Sequence, residues 1–153
     1  MADDFEGIRK IPRLMVPYIL LRSKTFLNWQ KSLDAQIWYY LVSYVIRSPI
    51  YTGKIDIYEN YWKKGKLAAR WSIENIATFF GYSTISGAVA KALTRLHNQK
   101  LLIKRPIRIG RSTVNVYEFG THDFQGNETI YAFDMFIKIA KEEALLEFYE
   151  QGK

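Results

Sequence analysis

The segment STISGAVAKALTRL, residues 83–96, is the stretch from which we predict the fold of this chain. Its apolar residues recur at the spacing of a helix that buries one side and exposes the other. The buried stripe would consist of Val89, Ala92, Leu93 and Leu96. Gly81 precedes the segment, and a basic stretch follows it. The pattern predicts an amphipathic helix that starts after a turn, with Ser83 or Ser86 as its N-cap.

Upstream of this helix, the chain alternates between helical and strand patterns. SLDAQIWYYLVSYVIR (32–47) predicts a helix, and DIYENYWKKGK (56–66) predicts a short one that ends at Gly65. LAARWS (67–72) predicts a small strand, and SIENIATFF (72–80) predicts another helix. The first helix carries Asp34 in its first turn and Arg47 in its last, and the expected N-caps of the two longer helices are Ser32 and Ser72.

Downstream, the pattern changes to a hairpin and then to a final helix. LLIKRPIRI (101–109) and TVNVYEFG (113–120) alternate as two strands joined by a tight turn at residues 110–112. Pro106 favours an edge position for the first strand. Residues 128–151 predict a helix that either packs on its own domain or pairs with a second copy. Its apolar stripe would consist of Phe133, Phe136, Ile137, Ala140, Ala144 and Phe148.

The boundaries suggested by these patterns divide the chain into three parts. Residues 1–31 would be an irregular N-terminal arm with a short extended piece around Tyr18 to Leu21. Residues 32–120 would be the main domain. Residues 121–153 would carry the C-terminal helix, for packing or dimerisation. The chain of 153 residues, 48% hydrophobic, is long enough for a substantial core.

The positive charge of the chain is concentrated in one segment. The formal net charge is +7. Residues 75–117 contain no Asp or Glu but seven basic residues, so the other 15 basic and 15 acidic residues cancel. The seven are Lys91, Arg95, Lys100, Lys104, Arg105, Arg108 and Arg111. This asymmetry favours a surface that binds a polyanion over a merely solvated basic face.

Several classes of function find no support in the sequence. There are no cysteines, which excludes disulfide scaffolds and thiolate metal sites. The two histidines, His97 and His122, lack metal-ligand spacing, and no Gly-rich phosphate loop is present. No secretory signal or bilayer-length apolar run is found, so we expect a cytoplasmic protein. We further expect no enzymatic activity, no cofactor, no metal, no membrane contact and no small-molecule substrate.

The middle of the chain, roughly residues 33–119, resembles the winged helix-turn-helix family. The resemblance lies in the Ile76-Ala77 pair before Gly81, in the stripe of residues 89–96, and in Leu101-Leu102-Ile103 before the hairpin. It implies an α+β, mostly helical fold: a winged helix-turn-helix with a small β-hairpin wing and an extra C-terminal helix. Seven residues, 82–88, separate Gly81 from Val89, where the family pattern has about five.

The resemblance implies which side chains would contact DNA. In the family, the exposed face of the second helix of the motif enters the major groove, and the hairpin contacts the backbone or minor groove. Here that face would carry Lys91, Thr94 and Arg95 behind a small tip at Gly87 and Ala88. The predicted contact residues are Ser83, Thr84, Ser86, Lys91, Thr94, Arg95, Arg105, Arg108, Arg111 and Ser112. If seven cations each neutralised a phosphate, log affinity would fall with log salt at a slope of about −6.

A weaker resemblance concerns the biological role. The order SLDAQIWYYL, IYENYWKKGKLAARWS and helix-turn-helix looks like the winged-helix parts of plasmid and phage replication initiators and related mobile-element proteins. It implies non-catalytic binding of double-stranded DNA in replication initiation or transcriptional regulation, by a protein whose C-terminal helix is a candidate surface for homodimerisation. The alternative is a winged helix that serves as a protein–protein interaction module in a replisome or other assembly.

Overall fold

The computed structural model describes residues 14–44, 61, 63–83 and 87–151. Within these residues the protein is α+β, with five α-helices, a 3₁₀ helix and a four-stranded antiparallel sheet. The elements are a 3₁₀ helix Tyr18–Arg22, α1 Lys24–Gln30, α2 Leu33–Val42, β1 Lys66–Arg70, α3 Ile73–Phe80, α4 Ala88–Asn98, β2 Ile103–Ile109, β3 Ser112–His122, β4 Glu128–Ile130 and α5 Tyr131–Gln151.

The two serine caps predicted for the longer helices are confirmed. The Ser32 hydroxyl accepts a hydrogen bond from the Ala35 N–H at 3.1 Å, which caps α2. The Ser72 hydroxyl accepts from the Asn75 N–H at 3.1 Å, which caps α3. Each bond satisfies one of the backbone donors that a helix leaves unpaired at its start. Helix α3 then ends at Gly81, whose φ of 75° is the left-handed conformation that closes many helices.

Strand β3 is the centre of the sheet. It pairs with β1 on one side and with β2 on the other, and its last residues pair with β4. The predicted hairpin of β2 and β3 is confirmed, with Ile109 opposite Ser112. At the end of β3 the backbones approach closely, because a Cβ on Gly120 would collide with the carbonyl oxygen of Thr129. A glycine is therefore required where β4 joins the sheet.

The position of Pro106 at a sheet edge is confirmed, since β2 pairs only with β3 among the described strands. The Lys104 N–H points away from β3 and donates to Nδ1 of His97 at 3.0 Å. Backbone direction alternates along an antiparallel strand, so the next outward position is Pro106, which has no N–H. The outer edge of β2 thus offers few donors to another strand, which guards it against edge-to-edge association.

The core joins all three predicted parts of the chain. Trp38 of α2 is fully buried, and its ring centroid lies 5.6 Å from that of Phe133 on α5. Phe26 of α1 is also fully buried and lies 5.3 Å from Phe136. Tyr117, in the middle of β3, is buried in the same cluster. Aromatic side chains bury large areas each, so this cluster is expected to supply much of the hydrophobic stabilisation.

The prediction of an irregular N-terminal arm is wrong for the described residues 14–31. The segment expected to be extended is the 3₁₀ helix, and α1 follows it directly. The Ser23 hydroxyl accepts from the Phe26 N–H at 3.2 Å and caps α1. Ser23 also donates to the Glu143 carboxylate of α5 at 2.7 Å. The packing of Phe26 in the core and the capping bond of Ser23 favour a helix over the extended conformation that the preceding run of apolar residues suggests.

Three other predicted boundaries are also wrong. The final helix begins at Tyr131, because Glu128–Ile130 form β4 against β3. The N-cap of α4 is Gly87, at φ 70°, and not Ser83 or Ser86. Helix α2 ends at Val42, with Ser43 and Tyr44 in a turn, and so stops five residues before the predicted end at residue 47. The predictions for Arg47, for most of residues 56–66, and for Thr84 and Ser86 fall outside the described residues.

Only half of the predicted stripe on α5 is buried against the protein. Phe133, Phe136 and Ala140 are buried. Farther along, Ala144 is exposed and Phe148 is 72% exposed. The first half of α5 therefore packs within its own chain, and the second half presents apolar side chains to solvent. None of the described helices has the length and apolar character needed to cross a membrane.

Candidate nucleic-acid interface

Helix α4 starts at a bare tip. Gly87 is its N-cap and makes no side-chain capping bond, and Ala88 is the first helical residue. A glycine at this position offers no side-chain oxygen to the N–H groups of the first turn. With no long side chain at the tip, another backbone can approach closely. The positive end of the helix dipole at this tip favours an anion, and the small side chains of Gly87 and Ala88 offer little for discrimination between bases.

The two faces of α4 follow the predicted pattern. Val89, Ala92, Leu93 and Leu96 are buried, while Lys91 and Thr94 are exposed on the other side. The Thr94 hydroxyl donates to the Ala90 carbonyl at 3.0 Å, within the same helix. Its donor is therefore already used, and Thr94 can offer an external ligand only its acceptor lone pairs. Lys91 is thus the exposed cation nearest the tip of α4.

Arg95, which was predicted to contact DNA, makes a bidentate ion pair with Asp34 of α2. Its Nε donates to Asp34 Oδ2 at 2.9 Å, and its Nη2 donates to Oδ1 at 2.7 Å. The Arg95 side chain is 51% exposed, but that of Asp34 is only 12% exposed. The hydrogen bonds that Arg95 donates to the Asp34 carboxylate raise the pKa of the guanidinium above its ordinary value. Arg95 therefore fixes α4 against α2, and its charge is compensated by Asp34 within the protein.

We expect Arg95→Ala to lower the free energy of unfolding by about 1–2 kcal/mol, because it leaves a mostly buried carboxylate unpaired. The half-exposed guanidinium limits the direct coupling of the pair to about 1 kcal/mol. Urea denaturation of the parent protein, Arg95→Ala, Asp34→Ala and the double variant measures this coupling. Strictly additive effects of the two substitutions would show that the pair does not couple the helices.

The hairpin turn carries the predicted wing residues. Gly110, at φ 59°, occupies the first central position of a two-residue turn, as in type II′ hairpins, and Arg111 occupies the second. Both Arg111 and Arg108 are exposed. The Nε of Arg108 donates to the Gly110 carbonyl at 3.4 Å, a long hydrogen bond that lays the guanidinium along the turn. Ser112 begins β3 beside them.

Arg105, another predicted contact residue, neutralises a buried carboxylate. Its Nε donates to Oε1 of Glu118 at 2.7 Å, and the Glu118 side chain is only 3% exposed. The other carboxylate oxygen, Oε2, is buried and has no hydrogen-bond partner. Arg105 is therefore the main compensation for this buried charge. Arg105 follows Lys104 directly in β2, so the two side chains lie on opposite faces of the strand.

Lys104 belongs to the basic segment but was not among the residues predicted from the sequence to contact DNA, and the structure makes it a candidate for that contact. It lies directly opposite Tyr117, so the two side chains project from the same face of the sheet. Tyr117 belongs to the core shared with the helices, which makes this the helix-facing side. Arg108 is four residues farther along β2 and shares that side. Strand alternation alone predicts that Lys104 and Arg108 share one face of β2. The sequence does not show which face of the hairpin packs against the helices.

The structure thus sorts the predicted residues into two groups. Four cations make no ion pair among the described residues: the predicted Lys91, Arg108 and Arg111, and in addition Lys104. Arg95 and Arg105 are paired with carboxylates of the protein itself. Ser83 is exposed at the end of a described range, before the three residues that lead to α4. Four uncompensated cations on α4 and the hairpin are the strongest polyanion-binding feature in the described part of the chain.

No group of three or more metal-ligating side chains occurs within the described residues. Comparisons with known proteins give no match: no protein-family model, no curated protein and no solved structure is similar to this chain.

Proposed function

We propose that this chain is a non-catalytic winged helix-turn-helix protein that binds double-stranded DNA. In this proposal α3 and α4 form the helix-turn-helix, and the β2–β3 hairpin is the wing. The order of α2, β1, α3, α4 and hairpin along the chain agrees with that arrangement. The packing of α4 through Val89, Leu93 and Leu96 supports it as well.

The observation that carries the proposal is the charge on α4 and the hairpin. Lys91, Lys104, Arg108 and Arg111 have no carboxylate partner among the described residues. The Lys104 N–H bonded to His97 also ties β2 to the end of α4, so the hairpin and the helix are held together. Cations that are not neutralised within the protein are available to phosphates, whose counterions are then released.

The mechanism that follows is backbone binding more than base reading. The bare start of α4 would approach a phosphate with the positive end of its helix dipole. Lys91 lies one turn inside the helix and would bind a phosphate or the edge of a guanine. Arg108 and Arg111 would contact the backbone or the minor groove beside the wing. Any sequence preference would come from these few side chains or from the shape of the DNA.

The biological role in this proposal rests on the resemblance to replication initiators and related mobile-element proteins. Replication initiation and transcriptional regulation on a plasmid, phage or other mobile element are the two roles that it implies. Selection of bound sequences from a random pool shows whether the protein recognises a defined DNA site. A palindromic consensus would favour specific recognition by two copies.

Fluorescence anisotropy with a random duplex of about 30 base pairs tests DNA binding directly. Four phosphate contacts predict a slope of log affinity against log salt of about −4 between about 50 and 200 mM salt. This is shallower than the slope of about −6 expected from all seven cations, because Arg95 and Arg105 are paired internally and Lys100 lies outside α4 and the hairpin. Absence of binding at about 50 mM salt would contradict the proposal.

A protein-interaction module is the second candidate function, and a surface of exposed aromatic rings favours it. Phe79 of α3 is 64% exposed and stacks on Tyr40 of α2 with ring centroids 4.2 Å apart. Tyr44, which is 42% exposed, stacks on Trp71 at the same distance. Exposed aromatic residues are enriched at protein interfaces. A protein that ignores duplex DNA at low salt would be assigned to this class.

Pairing of two copies through α5 belongs to the DNA-binding proposal. Leu145, Phe148 and Tyr149 are spaced three and four residues apart on this helix and are more than half exposed. Winged-helix proteins that bind palindromes often pair through terminal helices, which the family resemblance brings to this chain. The acidic residues of α5 would keep it away from the DNA.

A further inference from the structure

A groove between the end of α4 and the beginning of α5 is unrelated to the DNA-binding surface proposed above. Its volume is about 720 Å³, within the range of sites that hold small molecules. The apolar part of its lining includes Leu102, Ile103 and Met135. Leu102 is fully buried, Met135 is partly buried against the core, and Ile103 has intermediate exposure. The groove therefore offers an apolar surface in contact with the interior of the protein.

The rim of the groove is positively charged. Lys100 and Lys138 both line it, against a single carboxylate from Asp134. Neither lysine makes an ion pair among the described residues, although Asp134 lies one turn before Lys138 on α5. Two uncompensated ammonium groups beside an apolar surface complement a molecule that has one anionic group and an apolar body.

His97 adds a donor to this rim. Its Nδ1 accepts a hydrogen bond from the Lys104 N–H, so in the neutral ring the proton is on Nε2. The same hydrogen bond fixes the orientation of the ring. His97 also lines the groove. An N–H donor with a fixed orientation is a suitable partner for a carboxylate or phosphate oxygen.

The backbone at Lys100 is an independent sign that this lysine has a role. Lys100 has a φ of 61°, and it is the only residue other than glycine with positive φ in the described part of the chain. It follows α4 in a Schellman arrangement, with the Leu101 N–H bonded to the Leu96 carbonyl at 3.0 Å. Glycine is the usual residue at this position, because a side chain is strained there. The chain retains a lysine at a site where glycine would be more stable.

We propose that this groove binds a small amphipathic organic anion, with its carboxylate or phosphate between Lys100 and Lys138 and its apolar body on Ile103 and Met135. The site belongs neither to α4's exposed face nor to the hairpin tip. It stands or falls independently of DNA binding. A carboxylate and a phosphate would be bound by the same lysines, so probes that carry one or the other distinguish the two head groups.

Titration of the ¹⁵N-labelled protein with 1-naphthoate, 1-naphthyl phosphate and the neutral 1-naphthalenemethanol tests the proposal. We expect amide shifts at residues of the groove and a Kd of the order of 1 mM for a probe of this size. The alcohol should bind at least about tenfold more weakly than the better anion. Binding of only one anion would identify the preferred head group. No shifts with either anion, or equal affinity for the alcohol, would overturn the proposal.

A Lys100→Gly, Lys138→Gln variant separates binding from folding. Removing both cations should weaken anion binding by about tenfold or more. The glycine should meanwhile raise the Tm by about 2 °C, since it relieves the strained backbone. Lys31→Gln, Lys141→Gln is the matched control, because both lysines are exposed and neither lines the groove. Unchanged anion affinity in the first variant, or an equal loss in the control, would overturn the assignment.

Discussion

Replacing Lys91, Lys104, Arg108 and Arg111 together with alanine should weaken binding to duplex DNA about 600-fold at low salt. Each cation that contacts a phosphate is expected to contribute about 1 kcal/mol, a factor of about 5 in affinity. The slope of log affinity against log salt should fall from about −4 to near zero, because no counterions would be released. Anisotropy over the same salt range measures both quantities.

The charge-matched control keeps these four residues and replaces four other exposed lysines with alanine. They are Lys24, Lys31, Lys64 and Lys141, which lie outside α4 and the hairpin. Both variants lose the same formal charge, so a nonspecific effect of net charge would weaken them equally. Equal losses in the two variants would contradict the interface. A slope that stays near −4 in the first variant would do so as well.

Trp38→Ala should be the most destabilising single substitution that we predict, at about 3–5 kcal/mol. Trp38 is fully buried in the core and contacts the rings of Trp29, Tyr39 and Phe133. Its indole Nε1 donates to the Leu101 carbonyl at 3.1 Å, in the segment that joins α4 to β2. The substitution leaves a cavity and an unpaired carbonyl, and it loosens the position of the hairpin relative to α4.

Urea denaturation followed by far-ultraviolet circular dichroism measures this effect without depending on tryptophan fluorescence. A loss of about 3–5 kcal/mol would be a large part of the stability of a typical domain. Trp38→Phe keeps most of the ring and should cost less, which isolates the hydrogen bond to Leu101. Leu145→Ala on the exposed part of α5 should change stability by less than about 0.5 kcal/mol. A Trp38→Ala protein as stable as the Leu145→Ala protein would show that this cluster does not support the fold.

Local sequence patterns were sufficient for most of the helices and strands of the domain. Ser32 and Ser72 act as the caps that were predicted, because a capping bond spans only three residues. The buried stripe of α4 follows from the helical period alone. The β2–β3 hairpin follows from strand alternation and the two-residue turn at Gly110. These features depend on neighbours within a few residues.

The errors occurred where distant residues decide the outcome. The N-terminal segment becomes the 3₁₀ helix and α1 because Phe26 packs on Phe136, far along the chain. Strand β4 forms because β3 continues to His122 and offers a partner to Glu128–Ile130. The local composition of these segments does not depend on their distant packing partners. Prediction from local propensity therefore assigned the wrong secondary structure to both segments.

For the candidate interface, the sequence by itself located the basic segment and the exposed face of α4, since charge and helical period are local properties. Only the tertiary structure decided which of the cations have no partner. Arg95 is paired with Asp34, 61 positions away, and Arg105 with a buried Glu118 across the hairpin. A carboxylate removed from water must find a cation, and which cation is nearest depends on how helices and strands pack. Folding thus paired two of the seven cations within the protein and placed Lys100 after the end of α4, outside this surface. It left Lys91, Lys104, Arg108 and Arg111 for an external anion.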